Sequence, residues 1–385
     1  MKFNKWTLGL AAVGAVSLAS TVRADELKAL NTLVSNTTIS GVIDVAAQYR
    51  PGNVHNYNDS YYNGNSKLDA FSVNQVIISL DKPLDESPWA SGYHVDLNWG
   101  SDAVGILNTP ANNYDSAYSF SVASPIRQAY VTLRTPIGNG IDWKAGLFDN
   151  VLGYESNTMS SNPNYSHSLG WGVEPTSQLG LIGTYKVCDA LAVTGGLANT
   201  YSTYYYGYYG QNVSEKTILG AVTLTAPESW GWAKGGALTL GVNQGFYKYS
   251  VNNYYAGLTL PTPIKALTVG FAFDLVGEAN ESYNNHKDDS IWIAGAYASF
   301  QATDKLSLNL RGEYVDGYTS SGRGEEVTLT AAYNLWANVV SRVELRWNHA
   351  DTGTPNGYPG YSSNDNYEGE RSDDFMIAFN VAYRF

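Results

Sequence analysis

Charged side chains recur at every second position in two stretches near the end of the chain. This arginine–glutamate set consists of Arg311, Glu313, Arg342, Glu344 and Arg346. A second, acidic set in the middle of the chain consists of Asp149, Glu155 and Glu174. Guanidinium and carboxylate groups attract one another, so in a confined space they form ion pairs or set up a field between facing surfaces. These residues are the candidates for polar chemistry.

Catalytic chemistry has little support in the sequence. The chain has five histidines and one cysteine, and "HSLGWG" does not match the G-x-S-x-G motif of a nucleophilic serine. Ser166 and His167 are adjacent, so their side chains would point to opposite sides of an extended segment. The sequence contains no metal-binding, nucleotide-binding or cofactor motif. It therefore predicts no catalytic, metal or cofactor site and no enzyme.

The elements that carry the charged residues are strands. In "LSLNLRGEY" (306–314) and "VVSRVELRW" (339–347), apolar residues alternate with polar or ionised ones. A period of two places the apolar residues on one face of a strand and the charges on the other. Similar segments recur from "TISGVIDVAAQYR" (38–50) to the final "FMIAFNVAYRF" (375–385). In "IWIAGAYASF" (291–300) either face could be the apolar one.

The connections between these segments alternate in length. The long ones are 51–67, 101–123, 150–174, 202–214, 278–288 and 350–371, and those between them are mostly short. The alternation predicts an up-and-down antiparallel arrangement of about sixteen strands in which the long loops share one end. The short connection at 249–251 is an exception to this pattern.

Two architectures accommodate such strands: a soluble sandwich and a transmembrane barrel. A barrel exposes its apolar faces to lipid and places aromatic residues at the two interfaces. Residues in such positions are Tyr49, Trp99, Tyr314, Trp347, Tyr383 and Phe385. In lipid every backbone group must be paired, so the last strand must close onto the first. The prediction is an all-β, transmembrane antiparallel up-and-down β-barrel over residues 38–385, with long outer loops and short periplasmic turns.

The N-terminus resembles a secretory signal. Lys2 and Lys5 precede an uncharged, largely apolar stretch that ends near Ser20, and small residues surround a cleavage position after Ala24. We predict a signal peptide at 1–24 and a periplasmic segment at 25–37. Cleavage would change the formal net charge from −12 to −15, because three cations and no acid leave with the signal. Such a chain is not expected to bind nucleic acid, and no apolar stretch is long enough for a helical membrane span.

Several segments resemble the putative beta-barrel porin-2 family of bacterial outer-membrane proteins. The matching pieces are "QAY" (128–130), "AGLF" (145–148), "LGYE" (152–155), "NPNYSHS" (162–168), Pro175, "VNQVIISLDKP" (73–83) and "HVDLNWGSDA" (94–103). The resemblance covers most of the chain after the signal. It implies a porin fold, and it implies that Tyr383 and the terminal Phe385 act as a signal for the outer-membrane assembly machinery.

In a barrel of this kind the third long loop, 150–174, is the candidate constriction. It carries Glu155 and Glu174 and has Asp149 at its root, whereas the arginine–glutamate set lies on the opposite wall. One interpretation is a transverse field across the constriction that sets ion preference. The other is that the wall charges are ordinary ion pairs that brace the barrel.

The predicted function is passive diffusion of small hydrophilic solutes or ions through a water-filled lumen in the bacterial outer membrane. The alternatives are a substrate-selective channel, for example for sugars, and a plugged barrel with a surface-binding or structural role. Other expected features are an acidic outer mouth (278–289 and 365–374) and a tyrosine-rich loop (201–211) that either binds a partner or packs at the interface. The expected partners are outer-membrane lipid and, by analogy with general porins, two further copies in a homotrimer.

Overall fold

A computed structural model describes residues 36–51, 69–103, 125–202, 216–245, 251–278, 290–317, 323–350 and 373–385. The predicted signal peptide, almost all of the predicted periplasmic segment, and most of the tyrosine-rich loop and the acidic outer mouth lie outside these residues, so those predictions stay open. Within the described residues no helix has the length and hydropathy needed to cross a membrane.

The alternating segments form sixteen strands. They are β1 (Thr38–Tyr49), β2 (Ala70–Lys82), β3 (Ser91–Trp99), β4 (Ile126–Thr135), β5 (Ile141–Asp149), β6 (Ser177–Cys188), β7 (Leu191–Ala198), β8 (Thr217–Thr225), β9 (Ala237–Gly245), β10 (Val251–Pro261), β11 (Leu267–Glu278), β12 (Ser290–Gln301), β13 (Leu306–Gly317), β14 (Arg323–Trp336), β15 (Val339–Ala350) and β16 (Asp373–Arg384). The short helices are α1 (Leu169–Val173) and two 3₁₀ turns, Met159–Ser161 and Glu228–Ala233.

Every strand pairs antiparallel with its neighbours in sequence, and β1 pairs with β16 to close the barrel. At this seam Gly41 and Phe385 exchange two backbone hydrogen bonds, of 2.9 and 3.1 Å. The closed sixteen-stranded barrel predicted from the period-two pattern is therefore confirmed. Closure also explains how a strand so rich in aromatic residues can lie at the chain end, since its backbone groups face a partner instead of an open edge.

Connections at one end of the barrel are short, except for 226–236, which is as long as 279–289 at the other end. They are 83–90, 136–140, 189–190, 226–236, 262–266, 302–305 and 337–338. The other end carries the long connections, except for 246–250 and 318–322, which are short. Because the number of strands is even, β1 begins and β16 ends at the short-turn end. The connection between β5 and β6, residues 150–176, is a long one that the structure describes throughout.

The two faces of the wall have opposite chemistry. In β1 the side chains of Ile43 and Val45 are 43% and 39% exposed on the outside, whereas Asp44 between them is fully buried on the inside. The ambiguous strand β12 turns Ile293 and Tyr297 inward. The outside is thus a continuous apolar surface suited to lipid, and the charged residues line the interior.

The interior wall itself is uneven. On β7–β9 the inward positions are mostly glycine, alanine and threonine, and hydroxyl pairs such as Thr223–Thr239 at 3.1 Å join neighbouring strands. On β13–β15 the inward positions carry most of the buried arginine and glutamate residues. Small side chains thus line one side of the interior, and long charged ones line the other.

Candidate functional site

The connection 150–176 folds into the barrel, and we call it the inserted loop. It contacts inward-facing side chains on strands from β8 round through β16 to β2. Leu169 of α1 packs on Ile293 and Val315, and the Gln75 side chain accepts a hydrogen bond from the Met159 amide at 2.9 Å. The loop therefore lies inside the barrel, against inward-facing side chains of the wall.

Local hydrogen bonds give the inserted loop its own shape. Ser168 caps α1 by accepting a hydrogen bond from the Trp171 amide at 3.0 Å. The Asn162 side chain accepts from the Ser156 amide and donates to the Ser156 carbonyl, both at 2.8 Å. Asparagine and serine favour such turns because their short side chains bond to nearby backbone. The pieces "NPNYSHS" and "LGWG" thus encode a compact loop.

Two glutamates of the barrel wall bind backbone amides of the loop. Glu344 accepts hydrogen bonds from the Tyr165 and Ser166 amides, at 2.5 and 2.9 Å. Glu313 accepts from the amides of Leu169 and Gly170, at 2.6 and 3.0 Å. A carboxylate that receives two amide hydrogen bonds forms a strong, directional contact.

Three arginines on β15 and β16 bind backbone carbonyls of the same loop. Arg342 donates to the Ser160 and Asn162 carbonyls at 2.6 and 2.8 Å, and Arg384 also donates to that of Ser160. Arg346 donates to the carbonyl of His167 at 2.7 Å. The carboxylates of the wall thus bind amides of the loop backbone, and its guanidinium groups bind carbonyls of the same segment.

Arg311 lies at the centre of this network. Its guanidinium donates to Glu155 of the loop at 2.8 Å, to Glu326 of β14 at 3.0 Å and to the Ser166 carbonyl at 2.7 Å. Burial disfavours the charged form of Glu155, but Arg311, His167 and the Ser168 amide together hold the pKa of this loop carboxyl below its usual range. Glu155 therefore stays ionised within the barrel.

The structure brings together only part of the predicted site. All five residues of the arginine–glutamate set are between 0% and 5% exposed, and all of them contact or adjoin the inserted loop. Of the acidic set, Glu155 joins them. Asp149 instead forms an ion pair with Arg127 of β4 at 2.7 Å, and Glu174 is hydrogen-bonded to Asp274 of β11.

Several contributors were not singled out from the sequence, namely Gln75, Arg127, Asp274, Glu326 and Arg384. Asp274 and Arg384 do fall on the polar faces of period-two segments, which is the one signal that could have found them. Ser166 and His167 point to different partners: the Ser166 hydroxyl accepts from Arg346 at 3.1 Å, and His167 bonds to Glu155 at 3.0 Å.

Lys144 differs from the other inward-facing cations. It lies on β5 with its ammonium 4.5 Å from the ring centre of Tyr130 and 5.8 Å from that of Phe148. It forms no ion pair with any other residue that the structure describes, and its side chain stays partly exposed. Lys144 is therefore a positive charge that a solute in the lumen could meet.

Gly153 allows the inserted loop to turn beside Glu174. Its φ of +127° suits glycine, and a Cβ atom there would lie 2.5 Å from Oε2 of Glu174. We expect Gly153→Ala to destabilise the docked loop by about 1–3 kcal/mol, the usual cost of a strained backbone position. Chymotrypsin cleavage within 150–176, located by mass spectrometry, should then increase. Gly231→Ala is the matched control, since Gly231 also has a positive φ (+61°) but open space around it. Equal cleavage in the two variants would contradict this role.

A closed barrel of sixteen strands, apolar outside and polar inside, with a long loop folded into its lumen, defines the porin class of outer-membrane channels. The chain belongs to the family described as "Putative beta-barrel porin-2, OmpL-like", whose model matches residues 36–385. The protein is a channel for small solutes. A search of curated proteins gave no match.

Solved structures share the fold at low sequence identity. The outer membrane channel DcaP of Acinetobacter baumannii is 11% identical with a TM-score of 0.59, over 91% of this chain and 97% of that one. The anion-selective porin from Comamonas acidovorans is 12% identical with a TM-score of 0.59, over 91% and 99%. OmpT of Vibrio cholerae is 13% identical with a TM-score of 0.55, over 91% and 98%. These likenesses concern the fold.

Proposed function

We propose that this protein resides in the bacterial outer membrane and lets small hydrophilic solutes and ions diffuse through a lumen whose width the inserted loop sets. The observation that carries the proposal is the buried network that attaches this loop to the wall. A charge-assisted hydrogen bond contributes about 1.5–3 kcal/mol, so several of them together can hold a loop of this length in one position.

The arginine–glutamate set mainly serves to brace the loop in this proposal. Arg311 and Arg346 are 0% and 2% exposed, and their donors are directed to the loop and to Glu326. Charges that are buried and mutually paired act weakly on a passing ion. An ion preference would then come from groups that remain accessible, such as Lys144 and Asp149 on β5.

The passage runs past the inserted loop and along the small residues of β7–β9 in this proposal. Thr194, Thr223 and Thr239 face inward from those strands and remain partly exposed. Hydroxyl groups and small side chains leave room for hydrated solutes. The mostly small or charged inward faces favour general diffusion over an aromatic sugar track.

Single-channel recording of the purified, refolded protein in a planar bilayer tests the proposal. Stable conductance steps are expected, and a KCl gradient would give the sign of the ion preference from the reversal potential. Absence of conductance from a correctly folded barrel would contradict the proposal and favour a plugged barrel with a surface-binding role.

Replacing Lys144 with glutamate should shift the reversal potential towards cation preference by several millivolts, because one lumen-facing charge changes sign. Lys265→Glu, in the exposed turn between β10 and β11, is the matched control and should leave the potential unchanged. An equal shift in both variants would indicate that the overall net charge, and not the lumen position, sets the preference.

We further propose a homotrimer and recognition of the β16 end by the assembly machinery. A trimer form is recorded for OmpT of Vibrio cholerae. The mass of the detergent-solubilised protein from light scattering tests the trimer, and a monomeric mass would contradict it.

For the assembly signal, Phe385→Ala should reduce the amount of folded protein in the outer membrane.

A further inference from the structure

One contact of the inserted loop joins two acids. The Glu174 side chain, at the C-terminal end of α1, is hydrogen-bonded to that of Asp274 on β11. Both residues are buried, at 4% and 1% exposure. Asp274 also accepts a hydrogen bond from the Asn253 side chain at 2.8 Å, and Glu174 accepts one from the Tyr154 amide. The pair thus connects both halves of the loop to the wall.

The surrounding groups do not neutralise this pair. Among the described residues, no ion pair joins Glu174 or Asp274 to a lysine, arginine or histidine. The facing charged groups are Glu155 of the loop and Glu313 of β13, and Arg311 and Glu326 lie behind Glu313. The nearby cations already have other partners. Arg311 pairs with Glu155 and Glu313. Arg346 pairs with Glu326, and His167 with Glu155. The remaining titratable groups at the pair are the phenols of Tyr154 and Tyr255, which are neutral at ordinary pH.

Two carboxyl groups can hydrogen-bond to each other only when one of them carries a proton, since an ionised carboxylate is purely an acceptor. Two ionised carboxylates in contact within a buried site would repel strongly. The geometry of the pair therefore requires a bound proton. A polar cavity of about 160 Å³ within the loop base, which Glu174 lines, gives that proton a route for exchange with water.

We propose that one proton shared by Glu174 and Asp274 fastens the C-terminal half of the inserted loop to β11, and that loss of this proton as the pH rises loosens the loop and widens the channel. This inference rests on the proposed function of the loop as the constriction. It makes Glu174 and Asp274 positioning residues that act on solute passage through the loop.

The sign of the effect follows from linkage. Burial and the facing Asp274 carboxylate raise the pKa of Glu174 well above its ordinary value. The docked state holds this proton more tightly than the released state does, so the proton stabilises docking. This stabilisation is complete at pH values below the ordinary carboxyl pKa. That contribution is lost as the pH rises through the raised pKa, by up to about tenfold in the docking equilibrium per pH unit for one proton. Glu155 does not add to this change, because its lowered pKa keeps it ionised throughout.

The test is the single-channel conductance of the whole protein from about pH 5 to about pH 9, near the ordinary carboxyl pKa and well above it. The wild-type conductance should rise, or its open-state fluctuations should increase, towards alkaline pH. Glu174→Gln keeps the hydrogen bond without a titratable proton, so it should hold the low-pH conductance over the whole range. Glu228→Gln, in the exposed turn between β8 and β9, is the matched control and should follow the wild type.

The outcomes separate this inference from the proposed function. A wild-type channel whose conductance and open-state fluctuations are both independent of pH, or a Glu174→Gln variant with an unchanged pH profile, would overturn the shared-proton device while leaving the channel intact. No conductance at any pH would contradict the channel itself. If Glu174→Gln does not fold, Asp274→Asn provides the same neutral hydrogen bond from the wall side, and it should abolish the pH dependence in the same way.

Discussion

Replacing Arg311 with methionine is expected to release the inserted loop and to raise the single-channel conductance several-fold. Arg311 is fully buried and bonds to Glu155 and Glu326 and to the Ser166 carbonyl. Methionine keeps much of the volume but removes the cation that Glu155, Glu313 and Glu326 share, and breaking a buried pair in this way costs about 3–5 kcal/mol. The loop can relieve that cost by moving Glu155 into water. A lower thermal midpoint should accompany the larger conductance.

Arg323→Met is the matched control for this variant. Arg323 also pairs with an acid, Asp316 at 3.2 Å, but its side chain is 58% exposed, so the pair contributes little. This control should keep the wild-type conductance and thermal midpoint. If Arg311→Met also conducts like the wild type, the loop is held by other contacts and Arg311 is not its central anchor.

Excising the interior of the inserted loop should have the largest effect on the size of the solutes that can pass through the channel. Joining Tyr154 to Gly172 through a short glycine–serine linker removes residues 155–171, which carry most of the contacts to β12–β16. A barrel of sixteen strands without such a loop encloses a wide aqueous channel. The conductance should rise several-fold, and liposome swelling should extend to sugars that the wild type excludes.

A replacement at the other end of the barrel controls for general damage. Exchanging Glu228–Ala233, the 3₁₀ turn between β8 and β9, for a glycine–serine linker alters a connection that lies outside the lumen. This variant should retain the wild-type conductance and solute range. An unchanged conductance after excision of 155–171 would place the constriction elsewhere in the lumen.

Strand number and barrel closure were predictable because lipid imposes a simple pattern. A strand such as "TISGVIDVAAQYR" must present an apolar face to the membrane, so apolar and polar residues alternate in its sequence. The strand that resisted assignment, β12, carries apolar residues on both faces. Its inward Ile293 packs against Leu169 of the inserted loop, a contact that the local pattern cannot reveal.

The site was only partly predictable for a related reason. The faces of Arg311, Glu313, Arg342, Glu344 and Arg346 follow from strand periodicity, but their partners are backbone groups of a segment far away in sequence. The Glu155–Arg311 pair joins residues 156 positions apart. The Glu174–Asp274 contact between two acids runs against simple charge complementarity, because burial and a shared proton determine it.

The seam between Gly41 and Phe385 has a consequence for how the barrel folds. The Asn380 side chain bonds to Asp44 across 336 positions, so closure requires the last strand to meet the first. Contacts so distant in sequence form slowly, and every intermediate with fewer strands exposes two unpaired edges that can aggregate. The chain must therefore be kept from premature association until β16 is available. Loss of that single strand would leave an open sheet and not a smaller pore.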